Sequence, residues 1–462
     1  MSFSRKKNIL IFIFIFLTLH FPLYLYFFSE PITISLSSHT FENFDNPLYY
    51  LGAIGLGIIG ICLALLGFFC TGDLFYACCR SKYNSNLLIK TIDKGNRPVT
   101  RVSSAKFLPR TEIVKRLERI LQPDENQSYY YVICGEHGTG KTTVVKTASS
   151  NVHHGVVYVD IPARNENLGV AFGVAFGQAL NFAFEERISF TNQLIRKLGS
   201  TSNNSDELMW CRALEAFKRG AEVYKAKRGK PAVIVYDNVN QLVHENPKIL
   251  DTLQDDAKKN ADDQIYIAVF VSSEGMVPRR MESRSSWSRA EPVMEIGDLS
   301  EEESMEYLTK KCSINEEVAK QLYNLVGGRI LNLKFVATKF IAGQSFEDIK
   351  KEKLKETRKK FKSAKLLENQ THYEAGKHAI NALLKSKEID IDVFRKLFAN
   401  EEEYDEILGA NVFAYHPSRD TVGFQSKLIE CYIQANSDLF VDLINLTPTN
   451  EFNSNYASTS KL

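Results

Sequence analysis

The sequence predicts an α/β fold in which a parallel sheet is sandwiched between helices, and three observations predict it. Five short apolar runs are separated by longer helix-compatible stretches, the alternation that a parallel sheet with helical crossovers requires. The first run, YYYVIC, leads straight into GEHGTGKT, residues 135 to 142, a complete G-x-x-x-x-G-K-[ST] phosphate-binding pattern, and TTVVKTA then continues as a helix would. About a hundred residues on, the run in PAVIVYDN ends in Asp237.

The expected strands are residues 129–134, 156–162, 233–236, 266–271 and 293–296. Ahead of them, residues 111–121 carry Ile113, Val114, Leu117, Ile120 and Leu121 at helical spacing. In the loop, Gly135, Gly138 and Gly140 let the backbone curl so that successive N–H groups and the new helix terminus face phosphate oxygens. Gly135, Glu136, His137, Gly138, Thr139, Gly140, Lys141, Thr142 and Thr143 are the expected nucleotide-binding residues, for ATP with Mg²⁺. Lys141 reaches the β- and γ-phosphates in such a loop, and the Thr142 hydroxyl sits on the metal. Asp237, emerging at the carboxyl edge of the sheet, is the expected second metal residue.

Outside this core the composition changes. Residues 8–28 and 48–70 are two runs without Asp, Glu, Lys or Arg, each long enough to cross a hydrocarbon layer about 30 Å thick. Arg5, Lys6 and Lys7 precede the first, residues 29–47 hold no Lys or Arg, and Arg80, Lys82, Lys90 and Lys94 follow the second. The positive-inside rule then makes a two-pass hairpin with both ends and the phosphate loop on the cytosolic, or mitochondrial matrix, side. Residues 82–104 read as a polar, basic tether. The eight cysteines form no C-x-x-C pair, as in a chain facing a reducing compartment, and the net charge of +2 designates no polyanionic partner.

From residue 107 to about 436 these motifs resemble the AAA+ and STAND P-loop ATPases, especially the archaeal-type ATPase branch that fungi also carry. FLPRTEIVKRLERIL is similar to the box that precedes the phosphate loop, and GEHGTGKTT and VIVYDN to the Walker A and B motifs. The resemblance implies a γ-phosphate sensor at Ser272, an arginine finger acting in trans at Arg289 with Arg284 second, and a lid arginine at Arg329. It implies that GDLSEEESMEYL opens a helical lid, with a Ser300–Glu303 capping box. One departure stands out: where hydrolytic members carry a second acid after the Walker B Asp, this chain has Asn238. A carboxamide cannot accept the water's proton, so turnover is expected to be slow, with Glu136 and Glu274 as substitute acids.

Residues 350–365 pack nine Lys or Arg into a helix face, and residues 372–436 read as three helices, a hairpin and a last helix, a winged-helix pattern. Its third helix carries Glu401, Glu402, Glu403, Asp405 and Glu406, which disfavours contact with nucleic-acid phosphates. The expected organisation is a membrane hairpin over 1–80, a linker over 81–106, the P-loop core over 107–298, the lid and basic helix over 299–366, the winged helix over 367–440 and a disordered tail over 441–462. Function is expected to be that of an ATP-dependent switch or slow motor anchored in a lipid bilayer, self-associating or acting on a protein client. The alternatives are a non-hydrolysing scaffold and an initiator-like, nucleic-acid-handling ATPase.

Overall fold

The computed structural model describes residues 47–100, 107–163, 167–184, 189–191, 193 and 209–440. It divides into two units, residues 1–72 and 73–462. The first predicted span, residues 8–28, and the tail from 441 lie outside the described residues.

In the first unit the described chain is part of a single helix, α1 (Pro47–Lys94), whose 48 residues span about 72 Å at 1.5 Å each. Ile58, Ile59, Leu63, Leu65, Leu66 and Phe68 are exposed on it, and the helix is long and apolar enough to cross a membrane. Beyond Gly72 the same helix belongs to the second unit, and this corrects the reading of residues 82–94 as a tether. Leu88 and Ile92, four apart and so on one helix face, are buried in the second unit's core. They pack where Gly220 leaves room, since a Cβ there would meet both side chains. The chain then runs on to Asn96, whose side chain donates to the Tyr158 carbonyl at 2.7 Å and accepts from its N–H at 2.6 Å.

The second unit starts its sheet after α2 (Thr111–Ile120). In chain order follow β1 (Tyr131–Cys134), α3 (Lys141–Asn151), β2 (Val156–Asp160), α4 (Leu168–Ala179), α5 (Met209–Arg228), β3 (Ala232–Asp237), α6 (Asn240–Glu245), α7 (Pro247–Asp262), β4 (Tyr266–Val271), α8 (Met276–Glu282) and β5 (Met294–Glu295). All five expected strands are present and pair parallel in the order β2-β3-β4-β1-β5. Along β3 the side chains alternate between two cores, as a period of two demands. Val233 and Val235 meet α2 and α3 through Val114, Leu117 and Val145. Ile234 and Tyr236 meet α4 and α5 through Phe172, Phe176 and Phe217.

Four helices follow: α9 (Glu301–Glu306), α10 (Glu316–Val326), α11 (Ile330–Ile341) and α12 (Phe346–Ser363). The first opens with the expected capping box, Ser300 accepting from the Glu303 N–H and Glu303 from that of Ser300. Basic α12 is not wholly solvated, because Ile349, Lys353, Thr357 and Phe361 are buried. The C-terminal module comprises α13 (Tyr373–Ser386), β6 (Glu388–Asp390), α14 (Ile391–Arg395), α15 (Glu401–Gly409), β7 (Phe413–His416), β8 (Thr421–Phe424) and α16 (Lys427–Ala435). Its sheet is antiparallel in the order β6-β8-β7, so a short strand the sequence did not signal joins the expected hairpin.

Candidate nucleotide-binding site

The loop from β1 to α3 adopts φ of 149° at Gly135, 85° at Gly138 and 92° at Gly140, all in the region that favours glycine. At Gly135 space is limiting as well, since a Cβ would collide with the Ile296 carbonyl oxygen. Thr139 is buried and donates through Oγ1 to the Glu136 carbonyl at 3.0 Å. The Thr143 N–H donates to the Gly140 carbonyl at 3.0 Å, closing the first turn of α3.

Lys141, 4 % exposed, folds back so that Nζ donates to the Glu136 carbonyl at 2.7 Å. Burial pulls its pKa down to about 8, against the Glu136 carboxylate, which favours the charged form. A buried cation held by one carbonyl and, at 3.4 Å, the Thr139 hydroxyl gains strongly from incoming phosphate oxygens. Asp237 ends β3 in the cleft beside the loop. Its Oδ2 accepts from the Tyr158 hydroxyl at 2.5 Å and its Oδ1 from the Asn238 N–H at 2.9 Å, and the Thr142 hydroxyl bonds the same carboxylate. Burial nonetheless raises the Asp237 pKa, and the Tyr158 hydroxyl is pushed well up by burial and by the neighbouring carboxylate.

Thr142 and Asp237 are thus two hard oxygen donors in mutual contact, while no group of three or more His, Cys, Asp or Glu suited to a metal occurs among the described residues. That donor set fits a Mg²⁺ that keeps waters and arrives with phosphates. Held by Thr142 and Asp237, such an ion would offset the charge of bound phosphates.

The other expected residues separate into those at the loop and those away from it. Arg329 is 4 % exposed and joins three elements. It donates to the His137 carbonyl of the loop at 3.0 Å, to Asp298 at 2.5 Å and to the Gln425 carbonyl of the C-terminal module at 2.5 Å. Ser272, buried at the end of β4, donates by its N–H to Ile133 of β1, and its hydroxyl closes a local turn with the Glu274 backbone at 3.0 Å. Arg289 is not brought into this chain's own site. Its carbonyl accepts from the Tyr130 N–H at the start of β1, the opposite edge of the sheet from the loop, and its guanidinium pairs with Asp262 at 2.5 Å. Arg284, the second choice, bonds Asp255 and Asp251.

Of the substitute acids, Glu136 turns towards the C-terminal module, bonding the Gln425 side chain and facing Arg329 and His416, and burial raises its pKa. Glu274 accepts from Asn240 at 3.4 Å. Sequence reasoning missed four residues. Arg110, within the box before the loop, takes a left-handed backbone and donates to the carbonyls of Thr139, Gly297 and Asp298. His416 bonds Glu295 at 2.5 Å and, with Gln425 and Lys427, lines a cavity of about 170 Å³ against Glu136 and Thr139. Tyr158 and Asp160 flank Asp237 from β2. An arginine before a helix was a signal open to reading, but neither the β2 pair nor His416 belongs to any local motif.

Residues 107–336 match a family described as an ATPase domain predominantly from Archaea. No curated protein sequence matches the chain. Solved structures similar to it are distant. A Walker-type ATPase of Pyrococcus abyssi is 14 % identical, with a TM-score of 0.48, 74 % of this chain covered and 99 % of that one. Cdc6p of Pyrobaculum aerophilum is 12 % identical, with a TM-score of 0.38 and coverage of 74 % and 96 %. AMPPCP-bound DnaA of Aquifex aeolicus is 15 % identical, with a TM-score of 0.30 and coverage of 67 % and 88 %. With its parallel sheet and glycine-built loop, and with residues 107–336 matching that domain, the chain carries a P-loop ATPase domain of this predominantly archaeal kind.

Proposed function

We propose that this chain is a membrane-anchored, nucleotide-dependent switch that hydrolyses ATP slowly. Lys141 holds the β- and γ-phosphates, Thr142 and Asp237 hold Mg²⁺, and the C-terminal module, of winged-helix type, reads whether the γ-phosphate is present. The observation that carries this reading is Arg329, whose one guanidinium binds the loop, the lid entrance at Asp298 and the C-terminal module together. Charge arriving at the loop competes for those donors, so nucleotide state becomes a difference in how firmly the module is held.

Anchoring is supported by the length and apolarity of α1, and the basic residues after it favour a cytosolic or matrix-facing ATPase. The client is read as protein, since α15 remains an acidic face: Glu401 pairs with Arg395 and Glu406 with Lys365, while Glu402 and Asp405 are exposed.

The test uses the full chain in lipid nanodiscs. Titration calorimetry with Mg·ATP is expected to give binding that Lys141→Ala weakens about 100-fold or more, and equal affinities overturn the site. Amide exchange across residues 413–427 is expected to differ between ATP and ADP, and identical protection in both overturns the switch.

A further inference from the structure

Position 238 carries no acid, but the neighbouring strand brings a carboxylate beside it. In the parallel pairing of β2 with β3, Asp160 is the register partner of Asp237. Partners in register leave a sheet on the same face, with strands about 4.8 Å apart. Tyr158, two residues earlier and so on that face too, reaches the Asp237 carboxylate. Asp160 itself pairs with Lys146 of α3 at 3.2 Å, which fixes it on the face covered by the helix that the phosphate loop opens. Asn238 does not leave the position empty: its Nδ2 donates to Asp160 Oδ1 at 2.8 Å. Asn238 has φ of 65°, a left-handed conformation that Asn tolerates far better than Glu, so the backbone itself favours a carboxamide there.

We propose that Asp160 is the general base of the hydrolytic reaction and that Asn238 is its positioning residue. The proposal rests on the ATP-hydrolysing reading above and names the residue that activates water in that same site. The Asp160 side chain is 51 % exposed, so water reaches it, and each of its oxygens keeps a lone pair beyond the bonds to Asn238 and Lys146. In the step, the water oxygen forms a bond to the γ-phosphorus and one of its protons passes to the Asp160 carboxylate. The bond from that phosphorus to the β,γ-bridging oxygen breaks, and its electron pair leaves with ADP. Asp160 then returns the proton to solvent through its exposed edge. Glu136 is a weaker candidate because it faces the C-terminal module, among Arg329, His416 and Gln425.

The experiment measures Mg·ATP affinity and steady-state phosphate release on one preparation of the full chain in nanodiscs, with Asp160→Asn, Asn238→Ala and the double variant. Loss of the base lowers kcat by about 100-fold or more while affinity stays within about threefold of wild type. Asn238→Ala lowers kcat less, and the double variant is no worse than Asp160→Asn, because a positioning residue has nothing left to position. A structural role for Asp160 would instead move affinity or melting temperature and give additive losses. Asp160→Asn that releases phosphate at the wild-type rate overturns the base and leaves the nucleotide site standing. Wild type that binds Mg·ATP without any turnover overturns the base as well, and absence of both binding and turnover removes the proposed function with it.

Discussion

Lys141 has two flanks of opposite character. On one, Glu136, Arg329, His416 and Gln425 line a small cavity, and Arg329 bonds the loop, Asp298 and the C-terminal module to one another. On the other, Asp237, Tyr158, Asp160 and Asn238 line the carboxyl edge of two adjacent strands, and the outermost carboxylate is half exposed. The first flank joins three segments far apart in sequence through one guanidinium, as a sensor requires. The second lies on two adjacent parallel strands held in register from Val156↔Val233 to Asp160↔Asp237, as positioning of a reactant requires. Sensing and chemistry would then be separable by mutation.

The largest effect is expected at the first flank. Arg329→Ala leaves the Asp298 carboxylate, the buried Gln425 carbonyl and the partly buried His137 carbonyl without their donor and should cost about 3 kcal/mol of stability, read as a lower thermal midpoint. Arg329→Lys keeps the charge without the fork and should recover only part of it. A wild-type midpoint in Arg329→Ala would mean that this flank is not held as described.

A smaller effect separates the flanks by pH. Burial holds Lys141 at about 8 in the free protein, with Glu136, Asp237, Arg329 and Cys134 the other charges or titrating groups acting on it. Bound phosphates restore the ammonium, so above about pH 8 binding must take up a proton. Affinity for Mg·ATP should therefore fall as pH rises through 8, by up to about tenfold per unit, with proton uptake visible in buffers of differing ionisation heat. Affinity that is flat from pH 7 to 9.5 would place the Lys141 pKa elsewhere.

The smallest effect sharpens the open flank. Inserting the missing acid by Asn238→Glu strains a left-handed backbone by about 1 kcal/mol and sets a carboxylate against Asp160. Phosphate release should stay level or fall a few-fold, where a simple absence of base at 238 predicts a rise.

Much of this was legible because it is local. The phosphate loop is contiguous, the strands are short apolar runs, and an acid at a strand end needs no partner to be noticed. The capping box at Ser300 was equally readable, both of its bonds closing within three residues. One misreading came from context. The tether at 82–94 is polar in composition but carries Leu88 and Ile92 four apart, and their burial depends on Gly220, far along the chain. The pairing of Asn238 with Asp160 left no local mark either, because neighbours in sequence are the only neighbours a sequence displays.

By itself, then, the sequence determined the class of fold, the phosphate loop, the acid that ends β3, and an apolar segment long enough to cross a bilayer. Tertiary structure decided what surrounds them. Arg329 reaches a loop carbonyl 192 residues earlier and a C-terminal carbonyl 96 residues later, and Asn238 meets Asp160 across 78 residues. The physical reason is that a parallel sheet inserts a whole crossover between adjacent strands. Residues sharing one edge of the sheet therefore stand far apart in sequence, and only strand order and register bring their charges together.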